Sequence, residues 1–126
     1  MMYIAFGITL LLAIAIIGIG AAYVFNPYAA TRSFGLPVPE GGANFSWWLR
    51  LKGVRDTTSG LVLLGSMVWG TNKGLGLLLL IQALIPVGDM LLVLAAKGSA
   101  KSAFAIHGVT AVVMVGTAMT LLVGGN

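Results

Sequence analysis

Residues 49–60 read LRLKGVRDTTSG, and residues 61–70 continue as LVLLGSMVWG. The first stretch holds Arg50, Lys52, Arg55 and Asp56, although the whole chain has only seven Lys and Arg and three Asp and Glu residues. The second stretch is apolar enough for the interior of a membrane. Because the charged residues directly precede a hydrophobic segment, we predict that residues 49–70 belong to one helix whose charged end reaches into the protein interior.

The composition predicts an integral membrane protein. Of the 126 residues, 59% are hydrophobic and only 8% are charged, whereas a soluble domain carries about 25% charged residues. The small net charge of +4 favours orientation and contact with membrane lipids, and we expect no nucleic-acid partner. The absence of cysteine excludes disulfides, thiolate metal sites and cysteine nucleophiles.

Four apolar runs predict four membrane-spanning helices over residues 2–25, 45–70, 74–96 and 100–123. Each is close to the roughly 20 residues that cross the hydrocarbon layer. The first run is too long for the apolar core of a signal peptide, so we expect it to be retained. The connections are short except for residues 26–44, which are rich in Pro and Gly and predict a loop. We therefore expect one all-α domain over residues 1–126, an antiparallel up-down four-helix bundle.

Positive charge predicts the orientation in the cell membrane. Lys73 is the basic residue on one side, whereas the first loop, the start of the second helix and the third loop hold Arg32, Arg50, Lys52, Lys97 and Lys101. Since cytoplasmic loops carry the excess of Lys and Arg, those two loops are expected in the cytoplasm. Both termini are then expected on the non-cytoplasmic side of a multi-pass protein.

Three helices are expected to bring ionisable side chains to a similar depth. At about 1.5 Å per residue, Asp56 lies about 15 Å from the cytoplasmic start of its helix, and Asp89 and His107 lie about 10 Å from theirs. A charge that faces lipid costs several kcal/mol, so these groups should point into the bundle. Pro86 lacks the N–H of a helical residue and should kink the third helix just before Asp89.

Helical spacing adds further candidate site residues. Arg55 and Ser59 continue the stripe of Lys52 and Asp56, Gln82 shares a face with Asp89, and Thr110 shares a face with His107. We predict catalytic roles for Asp56, Asp89, Arg55 and His107, and ligand-binding roles for Lys52, Ser59, Gln82, Thr110 and Trp48. One histidine and two aspartates would be a weak metal site, so no metal is expected. No cofactor is expected either.

Four short motifs carry a family resemblance. They are FGLP at residues 34–37, LKGVRD at residues 51–56, PVGD at residues 86–89 and HG at residues 107–108. In this order they resemble a family of small four-helix membrane proteins from bacteria and fungi, catalogued as a domain of unknown function (DUF4267). The resemblance covers nearly the whole chain and implies a four-span fold. It supplies no established activity.

Several functions stay open at this point. Two carboxylates in one dry site are expected to titrate apart, one ionised and one protonated, which supplies a base beside an acid. Such a pair, with Arg55 assisting, fits epoxide hydrolysis, isomerisation or cyclisation of a lipophilic small molecule. The same groups could instead bind or transport a small molecule or protons, or the chain could be an accessory subunit of a larger membrane complex. They could also pair only to fix helix register, and a homodimer is open as well.

The first loop is a further point of interest. Residues 32–44 contain Phe34, Leu36 and Pro37, and Trp47 follows shortly after. These residues are apolar enough to lie at the level of the lipid headgroups. The loop could therefore fold back as a lid over the cytoplasmic end of the bundle.

Overall fold

A computed structural model of the chain describes residues 1–37 and 40–124, and these residues form helices and connections without a strand. Residues 38–39 of the expected loop and the last two residues, 125–126, lie outside the described part. The elements, in chain order, are α1 (Met2–Phe25), α2 (Pro27–Thr31), α3 (Phe45–Trp69), α4 (Asn72–Gln82), α5 (Leu84–Ala95), α6 (Ala100–Ser102), a π-helical segment (Ala103–Gly108) and α7 (Val109–Gly124). The short α2 lies where sequence predicted only loop, because Pro27 at its first position has the backbone angle that starts a helix.

Helices α1 and α3 pack closely through small residues. A Cβ atom added to Gly53 would lie 2.5 Å from the backbone oxygen of Gly20, and one added to Gly60 would lie 2.7 Å from that of Ala13. The two helices therefore run in opposite directions with their backbones almost in contact, as membrane helices do at small residues. Arg50 strengthens this pairing, because its Nε donates a 3.0 Å hydrogen bond to the oxygen of Val24 near the end of α1.

The third apolar run is interrupted where one continuous helix was expected. The break lies at Ala83, between α4 and α5, and Pro86 follows within one turn. Because proline lacks an N–H and its ring crowds the preceding turn, it breaks or kinks a helix at this distance. This one-residue break lies between Gln82 on α4 and Asp89 on α5.

The core and the polar groups occupy opposite ends of the molecule. The buried apolar cluster joins the first half of α1, the last part of α3, α4 and the second half of α7, and includes Leu63, Leu75, Leu79, Ala118 and Leu121. Lys52, Asp56, Asp89 and His107 lie towards the other end, where α1 ends and α3 begins. This end also receives α2, α6 and the π segment.

Within residues 1–37 and 40–124, three helical stretches are long and apolar enough to cross a membrane: Met2–Phe25, Asn72–Ala95 and Ala100–Gly124. Large apolar side chains cover much of their outer surface, among them Leu11, Ile14, Leu92 and Val112. A lipid-facing surface explains this exposure, since water would not tolerate so large an apolar area. The helices thus indicate a membrane protein.

Candidate functional site

A cavity of about 230 Å³ lies among α1, α3, the α4–α5 break, the π segment and α7. The first loop covers it with Ala30, Ser33 and Phe34. Its polar lining comes from Tyr23, Ser33, Lys52, Asp56, Ser59, Gln82, Asp89, His107 and Thr110. Such a combination of mostly apolar walls and a few convergent polar groups is typical of a small-molecule site.

The first polar group in the cavity is an ion pair within α3. Lys52 Nζ donates a 2.6 Å hydrogen bond to Asp56 Oδ2 one turn later on the same face. The ammonium also lies 4.8 Å from the ring centre of Tyr23 and 5.2 Å from that of Phe34, within the range of a cation–π contact. Asp56 is buried, and Lys52 places a positive charge directly beside it.

The second polar group joins two helices. His107 Nδ1 lies 3.8 Å from Asp89 Oδ2, and His107 Nε2 lies 2.9 Å from the backbone oxygen of Phe34. A carbonyl oxygen can only accept, so Nε2 must carry a proton. Nδ1 then faces the Asp89 carboxyl group at 3.8 Å, which is beyond hydrogen-bond distance. The loop carbonyl thus fixes the orientation of the histidine ring beside Asp89.

Both members of this pair lie in or next to an irregular part of the helical backbone. His107 lies within the π-helical segment Ala103–Gly108, and single π turns inside α-helices are frequent at functional sites. Asp89 follows Pro86 on α5 by three residues. Gly108 allows α5 to approach, because an added Cβ would lie 3.2 Å from Met90 Sδ.

The remaining polar lining is hydrogen-bonded within the protein. Ser59 Oγ donates to Gln82 Oε1 at 2.9 Å, and Gln82 Nε2 donates back to the Ser59 backbone oxygen at 3.4 Å. Thr110 Oγ1 donates to the Ile106 backbone oxygen at 2.7 Å. These groups hold α3 against α4 and stiffen the start of α7, while their remaining oxygen lone pairs stay open to a ligand.

The structure brings together seven of the nine residues that sequence pointed to. Lys52, Asp56, Ser59, Gln82, Asp89, His107 and Thr110 all line the cavity. Arg55 and Trp48 do not. Arg55 lies about 60° around α3 from Lys52, given 3.6 residues per turn, and its side chain is exposed. Trp48 is 68% exposed near the start of α3. The cation next to Asp56 is Lys52 and not Arg55.

Tyr23 and the Phe34 carbonyl were missed as site groups. Tyr23 is buried and lines the cavity from α1, and a tyrosine one turn from the end of an otherwise apolar run was a usable signal. The Phe34 carbonyl had none, because its contact with His107 spans 73 positions of sequence. Among residues 1–37 and 40–124, no cluster of three or more His, Cys, Asp or Glu residues could hold a metal ion.

Comparison with known proteins gives a family. No curated protein and no solved structure matches the chain. The family described as a domain of unknown function (DUF4267) matches residues 13–121, a range that includes the cavity lining except Leu12. The protein therefore belongs to this family, as its four short motifs indicated.

Proposed function

We propose that the protein crosses the bilayer four times and carries out cofactor-independent acid–base chemistry on a lipophilic small molecule. Epoxide hydrolysis, double-bond isomerisation and acid-started cyclisation are the reactions that fit. One observation carries the proposal: a single cavity receives Asp56 from α3 and Asp89 from α5, and each carboxyl group has a different partner. Two carboxyl groups in one site can act as a base and an acid only if their environments differ.

Helix α3 is the fourth span in this proposal. Trp47 and Trp69 are exposed near its two ends and are separated by about 33 Å at 1.5 Å per residue, close to the roughly 30 Å of the hydrocarbon layer. Tryptophan favours both membrane interfaces. The charges of Lys52 and Asp56 face the cavity. The long aliphatic part of the Arg55 side chain allows its guanidinium group to reach towards the headgroups.

The topology can be tested with introduced cysteines, since the chain has none of its own. An antiparallel up-down bundle with both termini on the non-cytoplasmic side puts Ala43 and Ser99 on the cytoplasmic side and Thr71 opposite. Ala43→Cys and Ser99→Cys should react with a membrane-impermeant maleimide only in inside-out vesicles, and Thr71→Cys only in right-side-out vesicles. Reaction of Ala43→Cys and Thr71→Cys from the same side would exclude α3 as a span.

The chemistry follows from the two pairs. In epoxide hydrolysis, the Asp56 carboxylate accepts a proton from water while the water oxygen attacks a ring carbon and the carbon–oxygen bond breaks. Protonated Asp89 donates its proton to the leaving oxygen. His107 then helps to return a proton to Asp89, while Asp56 gives up the one that it accepted, so the protein ends in its starting state. Lys52 holds the Asp56 carboxyl group in place through its 2.6 Å hydrogen bond.

The test uses the three carboxylate side chains of the chain. The protein in phosphatidylcholine vesicles is given a long-chain terminal epoxide, a lipophilic β,γ-unsaturated ketone and an epoxide-bearing polyene, and products are analysed by mass spectrometry. We expect Asp56→Asn and Asp89→Asn to lose about 100-fold or more of the turnover, the usual contribution of a positioned acid or base. Glu40→Gln is the matched control, because Glu40 is exposed in the first loop and outside the cavity lining.

Two outcomes would contradict the proposal. If the folded asparagine variants keep full turnover, the two carboxylates are not the acid and the base. If the wild-type protein converts none of the three probes, the proposed reactions are excluded.

A binding or transport role is the second candidate, favoured by the same polar groups. Proton transport would need an oligomer or a large rearrangement, because the buried cluster around Leu75, Leu79 and Leu121 fills the opposite end of the bundle. Proton flux through the protein in liposomes would support proton transport. The absence of flux at every protein density would oppose it. An accessory-subunit role predicts that a larger membrane complex co-purifies with the protein.

A further inference from the structure

We propose that the ligand reaches the cavity sideways from the lipid, through an opening between α1 and α5, and that it is an uncharged, chain-like hydrophobe with one oxygen function at the enclosed end. This inference rests on the proposed function and names its substrate class. Three features carry it: the seal at the loop end of the bundle, the exposed isoleucines that line the cavity, and the balance of charge inside.

The loop seals the end of the cavity nearest the headgroups. The ring of Phe34 packs against that of His107 in a tilted arrangement, with ring centres 4.7 Å apart, and the Phe34 backbone oxygen lies 2.9 Å from His107 Nε2. The next residue, Gly35, accepts a 2.8 Å hydrogen bond from the Ser99 amide. Two adjacent residues therefore attach the loop to the turn and helix on the far side of the cavity. Access from the headgroup end would require both attachments to open.

The side of the cavity is open instead. Ile19, Ile85 and Ile106 line it from α1, α5 and the π segment, yet they are 48%, 46% and 45% exposed. Three large apolar lining residues exposed to this extent indicate an opening on this side of the cavity, whereas the exposed lining residue of the loop is the small Ser33. The packing of the helices agrees with an opening between α1 and α5, because α1 packs on α3 and α7, whereas α5 packs on α4, α7 and the π segment.

The opening faces hydrocarbon if the three apolar helical stretches cross the bilayer, because each isoleucine lies within one of them. Ile19 lies one turn before Tyr23, and Ile85 lies one turn before Asp89. The opening therefore leads directly to the level of the polar groups. A molecule dissolved in the bilayer can present its polar end to them without passing through water.

The cavity encloses only part of a long molecule. Its volume of about 230 Å³ lies between the roughly 150 Å³ that accommodates benzene and the roughly 300 Å³ at which drug-sized pockets begin. Its inner wall is closed by the apolar side chains of Leu12, Leu63 and Met114. A ring or short branch fits inside, and a longer chain must continue through the opening into the lipid.

The charges inside favour a neutral polar group. Lys52 is already paired with Asp56, and Asp89 faces His107. An anionic headgroup would have to compete with Asp56 for Lys52 and would meet a second carboxyl group nearby. A hydroxyl, epoxide or ketone oxygen can instead accept a hydrogen bond from the existing groups without disturbing either pair. Hence an alcohol should bind better than the carboxylate of the same chain.

The test is photolabelling in phosphatidylcholine vesicles. The probes are a long-chain alcohol with a diazirine two carbons from the oxygen and the matching fatty acid, and labelled residues are identified by mass spectrometry. We expect the alcohol to label cavity residues such as Tyr23 and Met114 about tenfold more than the acid does, one decade in affinity. Ile85→Trp and Ile19→Trp, which fill the opening from two sides, should each lower the labelling by a similar factor.

Leu92→Trp is the control, because Leu92 is 64% exposed on the same helix and lies outside the cavity lining. Labelling confined to outer surfaces, full cavity labelling in both folded isoleucine variants, or equal labelling by alcohol and acid would each overturn the inference. Labelling needs no turnover, so the two proposals fail separately. Cavity labelling without conversion of any probe would refute only the reaction, and conversion that is unaffected by a filled opening would refute only the route.

Discussion

Replacing Gly53 by alanine should separate α1 from α3 and destabilise the protein. The added Cβ would lie 2.5 Å from the backbone oxygen of Gly20, 2.9 Å from Tyr23 Cβ and 2.9 Å from Val24 Cγ2. A carbon atom normally stays about 3.3–3.6 Å from a carbonyl oxygen, so the helices must move apart by nearly 1 Å. The nearest atom belongs to the backbone and cannot rotate away.

The size of the effect follows from two opposing contributions. Overpacking of this kind costs about 1–3 kcal/mol, and the rigid contact argues for the upper value. Alanine in place of glycine inside a helix contributes about 1 kcal/mol in the favourable direction. The net loss in unfolding free energy for Gly53→Ala is then about 2 kcal/mol.

Gly65→Ala is a matched control on the same helix. Its Cβ would meet only the ring of Trp69, no closer than 3.9 Å, so only the favourable helix contribution remains. The two variants should differ by about 3 kcal/mol, which corresponds to a difference of roughly 10 °C in melting temperature. Thermal unfolding in detergent, followed by circular dichroism, measures this difference. Equal melting temperatures would refute the close approach of α1 and α3.

Two further predictions concern the histidine and the loop. In ¹⁵N spectra of the protein labelled at histidine, the single histidine, His107, should carry its proton on Nε2, and Asp89→Asn should shift the Nδ1 signal; a neutral ring protonated on Nδ1 would contradict the proposed orientation. Gly35→Ala should speed hydrogen exchange at the Ser99 amide about tenfold or more, because Gly35 has a φ of +100° and such an angle costs other residues about 1–3 kcal/mol. Gly41→Ala is the control, since a Cβ added there meets open space, and it should leave exchange at the Ser99 amide unchanged.

Hydropathy predicted most of the helical architecture. The apolar runs at residues 2–25 and 100–123 correspond to α1 and to the stretch from α6 to α7, because a segment that must satisfy its own backbone in lipid has little choice but a helix. The interruption at Ala83 was foreseeable from Pro86, although its place was not. The π turn at Ala103–Gly108 had no sequence signal, because it depends on how α5 packs against that segment.

The polar stripe of α3 was predictable to within one residue. Spacing correctly grouped Lys52, Asp56 and Ser59, since they lie within about 60° of one another around a helix with 3.6 residues per turn. Arg55 was included because it lies at the edge of the same stripe, and periodicity alone does not say where a cavity ends. Only the packing of α1 against α3 decides that Arg55 remains outside.

The two side-chain pairs depend on the fold to different degrees, and this difference bears on the proposed chemistry. Lys52 and Asp56 lie one turn apart on a single helix, so their contact forms wherever α3 is helical. Asp89 and His107 come from different helices, and the histidine is oriented by a carbonyl of the loop that covers the cavity. The Lys52 charge beside the proposed base, Asp56, therefore depends only on the local helix. The proposed proton donor, Asp89, has an oriented histidine partner only when the loop is in place. In this arrangement the loop covers the cavity in the same state in which the proposed proton donor and its histidine partner are assembled.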